Sequence, residues 1–126
     1  MVKFLVGFLS LVALVAVGGD SSLRAYYPGD ITVERDGYAL QFNQELGVPS
    51  FVIYRISPAP ELGLKRDGMT FKKDPLVSTS PSPNIYAKSG YDLGHMCNVD
   101  DKESDLELMR ETFFTSNCCP FPSAWQ

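Results

Sequence analysis

The stretch Ser89-Gly90-Tyr91-Asp92-Leu93-Gly94-His95-Met96 holds the one histidine of the chain. An imidazole, with an ordinary pKa of about 6.5, exchanges a proton at neutral pH, so His95 is the candidate for general acid–base chemistry. A lone histidine is more often structural or simply exposed, and it is the neighbours that favour chemistry. Gly94 allows unusual backbone angles and close approach of a substrate, while Asp92 can fix loop geometry through backbone hydrogen bonds. Two basic pairs, Lys65-Arg66 and Lys72-Lys73, are candidates for meeting phosphates, against the plainer reading of solvated charge. The acidic run at residues 100–107 carries the same plain reading.

Cys97, Cys118 and Cys119 form an odd set, so at most one internal disulfide can close. Adjacent Cys118 and Cys119 are poorly placed to bridge each other, which leaves a link from Cys97 to either, or buried free thiols. One histidine and no C-x-x-C pair give a structural zinc site little support.

Positioning these groups falls to elements that the pattern makes legible. Residues 31–34 and 38–43 alternate apolar and polar positions on either side of Arg35-Asp36-Gly37, whose Asp-Gly step predicts a hairpin. Residues 44–49 make a second turn, and 51–56 read as a buried strand rich in β-branched and aromatic residues. From 57 to 83 five prolines, with several glycines and serines, exclude long regular elements and predict a draped connection, part of it facing substrate. A short strand near His95, a helix over about 104–110 and a strand through 112–116 follow. Ser104 with Glu107 fits a capping box for that helix.

At 126 residues, with 44% hydrophobic and 21% charged positions, the chain suits one domain and excludes a disordered class. Met1-Val2-Lys3 followed by the apolar run 4–17 and by small residues at Ala16 and Gly18 predicts an export signal over residues 1–18. Cleavage would remove Lys3 alone among the charges, leave a flexible segment at 19–30 ahead of a domain at 31–126, and give a secreted or exported protein with no stable membrane insertion. The net charge of −4 counts against tight, salt-driven binding of a long duplex but is compatible with brief catalytic contact.

The residues from Ser89 to His95 resemble the signature of the DNA/RNA non-specific endonuclease family, an Asp-Arg-Gly-His tetrapeptide preceded by Ser-Gly-Tyr. Further landmarks stand in the family's order: 38–43, 48–55, Phe71-Lys72-Lys73-Asp74-Pro75, Tyr86 and 111–117. Ordered landmarks across most of the chain carry far more weight than one tetrapeptide. The resemblance implies an α+β domain of antiparallel strands with a ββα-metal (His-Me finger) catalytic unit, acting on DNA, RNA or both with little sequence preference. It implies His95 as general base, Asp92 and Gly94 as motif support, and one divalent ion, Mg2+ by expectation, and sets Arg66 roughly in register with a family arginine; Lys72 and Lys73 stay candidates for substrate phosphate by their local charge. Such an ion stabilises the leaving oxygen as the bond breaks.

Two departures stand beside the match. Leu93 occupies the family's arginine position, which removes a guanidinium able to hold a phosphate through two hydrogen bonds. The family continues past the 111–117 landmark into a helix bearing an Asn metal ligand, then Trp and Glu. Here Phe121-Pro122-Ser123-Ala124-Trp125-Gln126 stands instead, so the expectation is a partial unit lacking that helix. Asn117 is the nearest asparagine and the one candidate ligand, with strand-end hydrogen bonding its plainer role. The rival to a nuclease is a non-catalytic remnant binding nucleic acid or a protein partner through residues 57–83. A small disulfide-stapled module is a third reading.

Overall fold

The computed structural model describes residues 2–6, 29–56, 58 and 63–125. Four antiparallel strands form one sheet: β1 (Val2–Val6), β2 (Ile31–Glu34), β3 (Ala39–Asn43) and β4 (Val48–Arg55), in the order β1-β4-β3-β2. The expected hairpin is β2–β3, closed across the Asp-Gly turn by the Arg35 amide donating to the Tyr38 carbonyl at 2.9 Å. The third strand starts earlier than its buried run suggested, at Val48, because the ladder absorbs Pro49 through a register shift. Phe42 pairs with Pro49 and Gln41 with Phe51, leaving Ser50 as the extra residue. A bulge of this kind is where a sheet tolerates a proline. Ser50 is tied down by donating its hydroxyl to Asp30 at 2.5 Å.

Of the expected export segment, residues 2–6 form β1, which pairs antiparallel with β4, and residues 1 and 7–18 lie outside the described residues. Among the described residues no helix is long and apolar enough to cross a membrane.

A second, two-stranded sheet pairs β5 (Tyr91–His95) antiparallel with β6 (Cys118–Pro122). Between them runs α1 (Leu106–Thr112), two residues later than expected. Asp105, not Ser104, caps it, its carboxylate accepting from the amides of Glu107 and Leu108. The strand expected over 112–116 is corrected as well. Thr112 ends α1, Phe114 makes only an isolated parallel bridge to Lys72, and a 3-10 turn at Thr115–Asn117 precedes β6.

The core divides in two. Leu40, Phe42, Val52 and Tyr54 of the large sheet pack with Met96 and Cys97. Val99, Met109 and Phe113 form a second cluster, flanked by Met69 and Phe71 from the long connection. The α+β expectation matches this architecture. The acidic run is not one solvated face. Asp101 accepts from the Tyr54 hydroxyl at 3.0 Å, and the buried Lys102 donates to the Arg55 carbonyl at 3.0 Å with its ammonium 5.1 Å from the Tyr54 ring.

Candidate active site

Successive side chains on a strand point to opposite faces, so Leu93 and His95 of β5 share one face, while Asp92 and Gly94 lie on the other. Leu93 and His95 line a cavity of about 340 Å³ with Arg66, Met69 and Phe71 from the long connection and Phe113 from the end of α1. The lead into β5 depends on Gly90, whose φ of 85° is a left-handed conformation suited to glycine. Its carbonyl then accepts from the Ser123 amide at 3.0 Å, closing the end of the β5–β6 pair.

Gly94 earns its small size in a different way from the one expected. A Cβ built there would run into Cδ2 and Cε2 of Phe121 on β6. The missing side chain therefore makes room for a neighbouring ring, on the face away from the cavity.

The His95 ring packs against two phenylalanines in a three-ring cluster. Its centroid lies 4.9 Å from that of Phe71 and 4.6 Å from that of Phe113, and Phe71 and Phe113 are themselves 5.2 Å apart. Burial, followed by the positive charge of Arg66, lowers its pKa from 6.5 to about 4, against a smaller upward pull from Asp100. The ring is accordingly neutral at pH 7. Nε2 is buried with no hydrogen-bond partner. A buried polar atom without a partner costs free energy, which makes this nitrogen a candidate for a ligand contact or for chemistry.

The phenylalanines are held from behind. The Lys72 amide donates to the Phe113 carbonyl at 3.1 Å, and the Thr115 amide donates to the Lys72 carbonyl at 2.9 Å. Asp74 anchors that junction, accepting from the Arg35 guanidinium at 2.5 Å, from the Ser116 hydroxyl and from the Leu76 amide. Arg35 also donates to Glu111 at 3.2 Å and stacks 4.3 Å over the Phe114 ring.

Of the three basic residues singled out for phosphate, Arg66 lines the cavity. Lys72 lies 5.0 Å over the Phe114 ring and Lys73 donates to the Ser78 carbonyl at 3.1 Å, and neither contributes to the cavity wall. Asn117 is fully buried. Its amide oxygen accepts from the Cys97 amide at 2.8 Å, and its amide nitrogen donates to the carbonyls of Thr112 and Cys97. The oxygen that would face a cation is thus turned into the β5–β6 junction, which corrects its candidacy as a ligand. Among the described residues no group of three His, Cys, Asp or Glu side chains is placed to hold a metal ion. The described residues do not form a cation centre by themselves.

The three cysteines are free, Cys97 and Cys118 buried, so no link from Cys97 forms. Sequence reasoning assigned no role to Met69, Phe71, Phe113 or Asp100. Phe71 and Phe113 were visible only as landmarks, and nothing in their spacing announced that they would flank one imidazole.

A family model for DNA/RNA non-specific endonucleases matches residues 23–121. Nuclease C1 of Cunninghamella echinulata var. echinulata is 32% identical over 94 residues, which are 70% of this chain and 37% of that protein. The mitochondrial nuclease EXOG of Danio rerio is 33% identical over 86 residues, 66% of this chain and 25% of that protein. Among solved structures, a chain of the EndoG/EndoGI complex superposes with a TM-score of 0.68 at 27% identity, covering 79% of this chain and 45% of that one. The chain thus spans between a quarter and under half of the length of these relatives.

Proposed function

We propose that this chain, which belongs to the DNA/RNA non-specific endonuclease family, hydrolyses phosphodiester bonds of DNA, RNA or both, with His95 as general base. The observation that carries the reading is the unpartnered Nε2 of a neutral imidazole in the wall of a cavity shared with Arg66.

In this reading a water molecule entering the cavity gives its proton to His95 Nε2 as its oxygen bonds to phosphorus. The bond from phosphorus to the leaving oxygen breaks, that oxygen takes a proton from solvent, and the imidazolium later returns its own. Arg66 offsets the phosphate's negative charge and orients it. Contacts made to the phosphate rather than to base edges support little sequence preference. The one divalent ion that the resemblance implies, Mg2+ by expectation, supplies charge neutralisation when bound; its donor set is not assembled by the described residues, and no step here passes through it.

The second reading, a binder of nucleic acid or of a protein partner without catalysis, draws on Leu93, which puts an alkyl group in the cavity wall where a second cation would grip phosphate. Export is also proposed, on the basic start and apolar run of residues 1–18. Plasmid and RNA degradation by the purified chain with and without Mg2+, compared with His95→Ala, separates the two readings. General-base action predicts a loss of about 10²–10⁴-fold in the variant. Degradation that survives the substitution would remove His95 from the chemistry, and salt-dependent binding without cleavage would favour the second reading.

A further inference from the structure

The base nitrogen of the proposed hydrolysis is closed to solvent. His95 Nε2 is buried without a partner, although the ring stands in the wall of a cavity. A base must come within hydrogen-bond reach of the water it deprotonates, so a neighbouring wall has to move before a proton can pass. Three elements supply that wall: β5, the end of α1 at Phe113, and the connection that brings Arg66, Met69 and Phe71.

They are not held equally. β5 is laddered to β6 through five residue pairs, and the Met96 amide extends the ladder by donating to the Asn117 carbonyl at 2.8 Å. Phe113 is buried, its amide donating to the Arg110 carbonyl at 3.2 Å. The connection is different. Residues 64–68 and 70 are exposed, and Met69 and Phe71 turn inward to pack against the cluster of Val99, Met109 and Phe113. At its far end Lys72 is fixed by two backbone bonds, one to Phe113 at 3.1 Å and one from Thr115 at 2.9 Å. At its near end there is one, the Leu64 amide donating to the Glu103 carbonyl at 2.9 Å. The turn between them is closed on itself by the Met69 amide donating to the Arg66 carbonyl at 3.1 Å, and Gly68, with φ of 77°, lets it reverse. Gly63 seats the near end, since a Cβ there would stand 2.9 Å from the Glu103 Cβ and overlap its carboxylate. A segment with few buried side chains and exposed backbone bonds opens at lower free energy than the core it lies on.

We propose that residues 64–71 form a strap that opens at its Leu64 end, turns about Lys72 and so controls access of water and phosphate to His95 Nε2, with Met69 as its latch. The use made of the opening rests on the nuclease reading; the opening itself does not. Arg66 rides on the strap, so one movement both uncovers the base and carries the cation that meets phosphate.

The single histidine makes the opening measurable without activity. Carbethoxylation of His95 by diethyl pyrocarbonate at neutral pH is followed by the absorbance of the modified imidazole in the full chain and in two variants. Gly63→Ala forces the Leu64 end off Glu103, and Met69→Ala removes the latch. Each is expected to raise the rate about tenfold, because the open form of such an element is ordinarily a minor state and releasing a restraint raises its population. Urea unfolding establishes that each variant is folded. A folded variant of either kind whose His95 reacts no faster than that of the unsubstituted chain overturns the inference. If neither variant folds, relaxation-dispersion NMR on the unsubstituted chain decides: one exchange rate shared by the amides of residues 65–70 and the His95 ring supports the strap, and strap amides without exchange, or with a rate unrelated to that of the ring, overturn it. Degradation of DNA and RNA is assayed on the same samples. Faster labelling with no degradation by any of them keeps the strap and removes the nuclease reading, whereas degradation with unchanged labelling keeps the nuclease reading and removes the strap.

Discussion

The His95 ring meets the Phe113 ring edge-on, with centroids 4.6 Å apart and planes at 88°. An apolar edge against the imidazole stabilises its neutral form, because a charged ring in that position would lose hydration without gaining a partner. Burial, helped by Arg66, brings its pKa down from 6.5 to about 4. A base of that kind is ready at neutral pH, although its proton affinity is lower than that of a free histidine.

The pH dependence follows with a definite sign. If the neutral ring is the active form, kcat/KM should rise as pH increases through about 4 and lie flat across 6.5, where an exposed histidine would still be titrating. Stability runs in the same direction. The unfolded chain binds the proton below 6.5 while the folded chain resists it down to about 4, so stability falls as pH drops through that window and is level above it. Because the chain has one histidine, a proton NMR titration reads this group without ambiguity. A midpoint near 6.5 in the folded protein would mean that the ring is open to water and that the phenylalanine enclosure is not maintained.

Much of the scaffold was legible from local pattern. The β2–β3 hairpin followed from period-two alternation around Asp36-Gly37, and β5 from the residues leading to His95. What was not legible depends on contacts distant in sequence. Asn117 could be read as a ligand or as a hydrogen bonder, and only its partners 20 residues away at Cys97 decide for the second. Gly94 suggested room for substrate, but the space belongs to Phe121. The acidic run looked uniformly solvated until Tyr54 and the Arg55 carbonyl claimed Asp101 and Lys102, each 47 residues off. Pairings of this range leave no periodic trace along a chain.

The buried ion pair of Arg35 with Asp74, with side chains 7% and 0% exposed, should be a point of weakness under substitution. Asp74→Asn leaves the Arg35 charge with the longer ion pair to Glu111 and the face of the Phe114 ring, and a destabilisation of about 3 kcal/mol is expected in urea unfolding. Activity should fall with it, since Asp74 secures the junction behind Phe71 and Phe113. Replacing both partners with apolar residues, as in Arg35→Met with Asp74→Leu, should recover only part of the stability, because the Ser116 hydroxyl, the Leu76 amide and Glu111 each lose a partner. If the double variant is no better than the single one, the pair does more than neutralise itself.

Thiol chemistry offers an independent check of the packing. Burial pushes Cys97 up to about 12 and Cys119 up to about 11, and raises Cys118 as well. Thiolate is the reactive form, so all three should react slowly with a disulfide reagent in the folded protein. Under denaturing, non-reducing conditions three thiols per chain should titrate. Finding a single thiol would show that a disulfide has formed and that the β5–β6 junction differs from the arrangement described.

Gly94 and Phe121 make the sharpest test of how the strand pair positions the base. Gly94→Ala puts a methyl group where the Phe121 ring now lies, so that ring, 42% exposed, must move. The expected cost is therefore modest, about 1 kcal/mol of stability. The effect on turnover should be larger than that cost suggests, because β5 also carries His95 and a small displacement of a catalytic group can reduce rate by about 10²-fold. Adding Phe121→Ala removes the clash and should return turnover toward that of the unsubstituted chain without changing KM. A double variant as slow as Gly94→Ala alone would mean that the absent side chain is needed for substrate approach, the role the sequence first suggested.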